Sequence, residues 1–296
     1  MPPRAAGFAL LLGGAMWGLY WIPLRFFINL GFNGAWSGII VYGGALVVLM
    51  PFVIKERHKL TKNWRALLLS GAFTGSAFGM FSMSLAYTEV ARAIILFYLT
   101  PIWGTIIGLV VLRERLTLGR ISGLGAGLCG MVVILGTDGS IPLPKNTGDW
   151  LALASGVIWA FGSLGLYRSS DITVLGQVAA FLGGALLIAI FWVLLGLGGG
   201  AASFGDVKLM EIVALSLLSA LYVLPMVYLT IYPATLLSPS RVGLLLMSEI
   251  VVGLASAAIF SGEPFGRTEF MGAFLIVSAG LIEIGSARAT VSDAKR

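Results

Sequence analysis

The chain consists of two sets of apolar stretches that read as copies of one another, each set odd in number. Shifting the sequence by 149 residues places Arg92 on Arg241, Gly104 on Gly253, Glu114 on Glu263, Gly123 on Gly272 and Gly136 on Gly285. A shift of 142 places Gly14 and Trp17 on Gly156 and Trp159, and a shift of 140 places Gly43-Gly44-Ala45-Leu46 on Gly183-Gly184-Ala185-Leu186. About 20 apolar residues cross the bilayer hydrocarbon as a helix. On that criterion the stretches near 6–28, 34–54, 65–87, 91–112, 118–136, 149–168, 173–197, 210–232, 238–260 and 268–287 are ten membrane helices, five per copy. A unit with an odd number of crossings leaves its copy upside down. The expected architecture is therefore an all-α membrane protein of ten transmembrane helices arranged as two inverted five-helix repeats. Residues 1–137 form the first repeat, 138–148 the linker, 149–287 the second repeat and 288–296 a cytoplasmic tail. In such folds the substrate site lies near the midplane, between the repeats.

Composition agrees. Hydrophobic residues make up 58% of the 296-residue chain and charged residues only 11%, against about a quarter in soluble domains. The net charge of +6 does not signal nucleic acid, because the basic residues form no continuous face and sit in short connections. With the N-terminus inside, 14 of the 19 Lys and Arg fall on the inner side, most of them in the first repeat. The positive-inside rule then puts both termini in the cytoplasm of a bacterial inner membrane. The first apolar stretch, Gly7 to Phe27, is too long for a signal-peptide core and is expected to stay in the mature protein. Cys129 stands alone, so no internal disulfide forms. Gly198 to Ala202 is a flexible loop. No Gly-Lys-Ser/Thr follows it, so the chain has no phosphate loop with which to hydrolyse ATP.

Glycines at four-residue spacing let membrane helices approach closely. Gly71, Gly75 and Gly79 do so in the third stretch, and Gly14 and Gly18 in the first. Pro101 in the fourth stretch and Pro225 in the eighth each remove a backbone hydrogen bond, freeing the carbonyls of Phe97 and Leu221. In lipid such carbonyls need another partner or a wet cavity. Either a bent packed helix or a cavity-shaping hinge satisfies that demand.

The candidate cavity residues cluster around these features. They are Trp17 and Trp21, Met80 and Met83, Tyr98, Pro101 and Trp103 in the first half, with Trp159, Ser163, Tyr222, Pro225 and Ser248 in the second. Trp17 and Trp159 occupy matched repeat positions deep in their stretches, where two indoles either pack or wall an apolar site. Ionisable groups inside membrane stretches are functional candidates by default. Glu249 lies at the centre of the ninth stretch, placed either to exchange a proton during transport or to be held neutral by a hydrogen bond between helices. Arg92 and Arg241, at the starts of the fourth and ninth stretches, are candidates for gating or for meeting a substrate carboxylate. Glu114 and Glu263 read as helix-end anchors. The sole histidine, His58, sits in a basic connection, and no acidic pair lies within a stretch, so no catalytic constellation is present. No cofactor or metal is expected. The partners are a small-molecule substrate and the bilayer, with a monomer expected and a dimer open.

The sequence Ala86-Tyr87, then Ala91-Arg92-Ala93, Pro101, Glu114, Leu116-Thr117 and Gly123, echoed by Arg241, Glu263 and Gly272, resembles the EamA-type repeat of the drug/metabolite transporter superfamily. With Tyr98-Leu99-Thr100-Pro101 it is also similar to the bacterial aromatic amino acid exporter (YddG) group. The resemblance implies ten helices and alternating access around a central cavity. It further implies export of amino acids, aromatic or hydrophobic ones favoured, or of related metabolites. A general drug/metabolite exporter or a nucleotide-sugar carrier of the same superfamily is the alternative. The first stretch carries no acid, unlike the small multidrug pumps related to that superfamily.

Overall fold

The computed structural model describes residues 1–32, 35–84, 87–88, 90–114, 117–135, 144–169, 171–196, 209–261 and 266–293. Residues 136–137 at the end of the expected first repeat, 138–143 of the expected linker, the Gly198–Ala202 loop and Glu263 fall outside these, as do residues 294–296 of the expected tail. Among the described residues there are fourteen helices and no strands. In order they are α1 (Pro3–Leu19), α2 (Trp21–Asn29), α3 (Ala35–Lys55), α4 (Arg57–Lys62), α5 (Trp64–Ser84), α6 (Val90–Phe97) and α7 (Thr100–Val110). There follow α8 (Leu118–Leu135), α9 (Thr147–Arg168), α10 (Val174–Leu194), α11 (Leu209–Ala234), α12 (Pro239–Leu246), α13 (Ser248–Ser261) and α14 (Arg267–Asp293).

Among the described residues, seven helical stretches are long and apolar enough to cross a membrane by themselves. The expected fourth stretch falls short because it is broken into α6 and α7, while the fifth and tenth fall on α8 and α14. Large apolar side chains such as Phe8, Val47, Leu118, Leu194 and Phe274 are exposed on helices all around the molecule. A water-facing surface would not tolerate so much apolar area. This is a multi-pass membrane protein.

Proline sets several helix starts, since the first turn does not need its missing N–H. Pro3 opens α1, Pro101 lies in the first turn of α7 and Pro239 opens α12. Pro225 and Pro233, by contrast, lie inside an unbroken α11. Lipid offers no hydrophobic drive for helices to associate, so close backbone contact must hold them together. At the α5–α10 crossing, a Cβ on Gly71 would strike the Ala180 carbonyl. One on Gly75 would strike the Phe181 carbonyl and the Ala185 amide. Besides α10, α5 packs against α9; α1 lies on α11 and α13, α3 on α10 and α11, α7 on α12, and α6 and α7 on α9. The α8–α14 pair flanks this assembly, meeting α12 and, through α14, α1 and α13.

Candidate functional site

Two spans are broken at positions 149 residues apart. Shifted by 149, α6 falls on α12 residue for residue, and the Tyr98–Leu99 interruption falls on Met247 and Ser248. The first break follows from Pro101, which cannot donate to Phe97. The Thr100 hydroxyl donates to that carbonyl instead, at 2.5 Å, so the freed group finds a partner within the chain. No proline marks the second break. There Met247 N–H bonds Leu244 O and Ile250 N–H bonds Met247 O, three-residue steps that tighten the turn. Sequence reasoning placed Glu249 at the middle of a continuous helix. The structure puts it in the first turn of α13, immediately beyond the interruption.

The breaks face each other across the two halves. The Tyr98 hydroxyl donates to Glu249 Oε2 and lies 3.3 Å from the Leu246 carbonyl. Ser248 Oγ donates to Leu11 O at 3.0 Å, tying the second break to α1. A Cβ on Gly14 would strike Ser248 Oγ, and one on Gly18 would lie 2.8 Å from Gly253 N, so those glycines admit α13 onto α1.

Tyrosines gather around Glu249. Tyr42 of α3 lies within electrostatic reach of its carboxyl and is hydrogen-bonded to Tyr20, between α1 and α2, which in turn lies near Tyr222 of α11. The Tyr222 hydroxyl donates to Met16 O. Tyr20, Tyr222, Ser248 and Glu249 keep some accessible surface, whereas Tyr42, Tyr98, Thr100 and Met247 are buried. In repeat register Glu249 corresponds to Thr100, and Tyr98 to Met247. The crossing thus carries one carboxyl, on one side only.

Next to it lies an aromatic cluster centred on Phe78, a residue that no sequence pattern singles out. Trp17 stacks on Phe78 at 4.3 Å between ring centroids, and Trp159 meets it edge-on at 5.1 Å. Phe97 and Phe181 close the remaining sides at 5.8 and 5.5 Å. The two matched indoles are therefore enclosed by aromatic rings. Trp17 Nε1 donates to Thr230 Oγ1 at 3.0 Å, whereas the buried Nε1 of Trp159 has no hydrogen-bond partner among the described residues.

The other sequence candidates are spread more widely. Trp21 Nε1 donates to Ser256 Oγ at 2.9 Å, joining α2 to α13. Met83 is buried, and Met80 partly so. Pro101 is buried against α12, with a Cβ on Gly243 only 3.0 Å from its nitrogen. Trp103 packs on the Ile107–Ala160–Leu164 cluster, and Ser163 Oγ bonds Ala160 O within α9. Pro225 is exposed on α11. Arg241 sits half-buried in the first turn of α12. Arg92 lies in α6, with its side chain outside the described residues. Glu114 pairs with Arg120 at 2.9 Å, and Arg120 also reaches Ser238 Oγ at 3.5 Å, which joins the α7–α8 connection to the start of α12. A shallow concavity of about 510 Å³ beside Gly266, Arg267, Phe270 and Met271 shares no residue with the crossing.

Residues 5–136 match the EamA-like transporter family. The match covers 132 of the 296 residues, most of the first half of the chain. A solved crystal structure of another protein, 19% identical, is similar over 97% of this chain and 98% of its own, with a TM-score of 0.73. At that identity the likeness concerns the fold alone. No curated protein matches the sequence significantly.

Proposed function

We propose that the chain is a secondary transporter that exports small organic metabolites by alternating access between two inverted repeats, residues 1–137 and 149–287. The observation that carries this reading is the matched interruption of two spans around a buried polar crossing. Discontinuous helices at the repeat interface are where transporters of this architecture build their sites. The helix contacts support the repeats as well. Pairing α1 with α9, α3 with α10, α5 with α11, α6–α7 with α12–α13 and α8 with α14 maps α5 on α9 onto α11 on α1. It likewise maps α5 on α10 onto α11 on α3, and α7 on α9 onto α13 on α1.

The most extensive of the contacts that lack a counterpart is the one between α7 and α12, with the Pro239 carbonyl 2.7 Å from where a Gly104 Cβ would sit. Among the described residues, no packing of comparable extent joins the counterparts α6 and α13. That asymmetry fits a state closed at the α7–α12 end and open at the other, and the Glu114–Arg120–Ser238 tie lies at the closed end. With the N-terminus inside, the closed end is cytoplasmic.

Amino acids, aromatic or hydrophobic ones favoured, are the proposed cargo, because the polar crossing lies beside the aromatic cluster of Trp17, Phe78 and Trp159. A general drug/metabolite exporter is equally compatible with the family match. Glu249 is the proposed coupling group. The titratable side chains facing it are tyrosines, namely Tyr98 at the α6–α7 break and Tyr42 on α3, with Tyr20 and Tyr222 beyond. Purified protein in liposomes should give saturable flux of labelled Trp or Phe and little flux of a sugar. Flux that rises linearly without saturation, or none for any metabolite tried, removes this reading.

A further inference from the structure

A carboxyl group within a membrane-spanning assembly has to be neutral or paired, since an isolated charge there is costly. Glu249 has Tyr98 as its hydrogen-bond partner, and among the described residues no lysine, arginine or histidine pairs with it. At the crossing Tyr98, Thr100 and Met247 are buried, while Glu249 and its neighbour Ser248 remain partly accessible. Tyr98 bonds the Glu249 carboxyl and Tyr42 lies within electrostatic reach of it, with Tyr20 and Tyr222 beyond and Trp17 beside Tyr20 at 5.5 Å. Aromatic faces attract organic cations, and ammonium groups are recognised by such surroundings. Hydroxyl oxygens of tyrosine can accept from an ammonium, but they cannot neutralise a carboxylate.

We propose that Glu249 and the tyrosines around it form a site for an ammonium group, so that the ligand must carry an amine and need not carry a carboxylate. This deepens the transporter reading and rests on it for the route by which a ligand arrives. The site fixes one end of the ligand. Its apolar body then lies towards Trp17 and Phe78, which stack beside Tyr20. Because Thr100 replaces the carboxyl in the other repeat, there is one such site per chain.

Three ring-matched probes test the proposal by equilibrium dialysis on the purified full-length protein. They are phenethylamine, which has the ammonium only, phenylalanine, which has both groups, and 3-phenylpropionate, which has the carboxylate only. Phenethylamine and phenylalanine should bind and compete, with 3-phenylpropionate at least about tenfold weaker. Glu249→Gln should weaken phenethylamine by about tenfold or more, while Glu249→Asp keeps it within a few-fold. Monodispersity and melting temperature verify that each variant is folded, and the probe series on the unaltered protein decides even if Glu249→Gln is not. Equal binding of 3-phenylpropionate and phenethylamine overturns the proposal, as does undiminished phenethylamine binding by folded Glu249→Gln. Flux in liposomes separates the two readings. Saturable phenylalanine flux with Glu249-independent amine binding sinks the ammonium site alone. Glu249-dependent amine binding without saturable flux of any probe sinks the transporter reading alone.

Discussion

The Tyr98 hydroxyl donates to the carboxyl of Glu249 across 151 residues of sequence, joining the break in one half of the chain to the break in the other. The bond spans the surfaces that must separate or slide if the halves move against each other. Tyr98→Phe should therefore lower stability by about 1–2 kcal/mol, the worth of one buried hydrogen bond to a carboxyl. The same change should alter transport more than Phe274→Leu, on the exposed face of α14. Thermal unfolding in detergent and liposome flux measure the two effects.

If Glu249 exchanges a proton during the cycle, replacing it with Gln should flatten the dependence of flux on pH while leaving binding of uncharged aromatic ligands nearly intact. The facing groups are tyrosines, which cannot substitute for it across the neutral range. Flux measured at several fixed pH values for the native protein and for Glu249→Gln is the check. Parallel profiles would exclude Glu249 from coupling.

Trp17 and Trp159 occupy matched positions, yet only the first has a bonded indole N–H. Both lose similar volume on change to phenylalanine, so comparing them isolates the hydrogen bond to Thr230. Trp17→Phe should cost about 1 kcal/mol more than Trp159→Phe. Thr230→Val should reproduce most of that difference. Melting curves of the three variants provide the measurement.

The glycines predict opposite outcomes for one substitution. Gly75→Ala forces a methyl into the Phe181 carbonyl and the Ala185 amide and should cost about 1–3 kcal/mol. Gly125→Ala meets nothing within 4 Å on α8 and should be neutral, or stabilising by up to about 1 kcal/mol. Equal effects of the two would mean that α5 and α10 do not approach as closely as described.

Asp149 is fully buried at the start of α9, where Oδ1 accepts from Thr88 Oγ1 at 2.5 Å and Oδ2 from Lys145 N at 2.8 Å. Its own N–H is capped by Asn146 Oδ1 at 2.8 Å. Asp149→Ala should destabilise by about 2–3 kcal/mol and release the α5–α6 connection from α9. Faster hydrogen exchange at residues 87–88 and 144–150, with α5 unchanged, is the expected signature.

Much of this architecture was legible in the residues. Long apolar runs locate helices because lipid leaves a backbone no other way to satisfy its hydrogen bonds, and Pro101 announced the first interruption by removing a donor. The second interruption was not legible. Met247 is an ordinary helix residue, and the turn there tightens through contacts with Leu11, Gly14 and Tyr98, all remote in sequence. Phe78 was missed for a similar reason, since nothing in a phenylalanine between glycines says that four aromatic rings converge on it. Pro225 was singled out for the bond it removes, but which side of α11 it occupies depends on how that helix is rotated against α1 and α3.

The placement of Thr100 opposite Glu249 has an energetic corollary. If Glu249 is the coupling group, a single carboxyl at the crossing trades one proton for each passenger. For a passenger whose exchange moves no net charge, the uphill reach is then about a tenfold concentration ratio for every pH unit held across the bilayer. Steeper accumulation would demand a second exchangeable group, and threonine at the duplicate position supplies none.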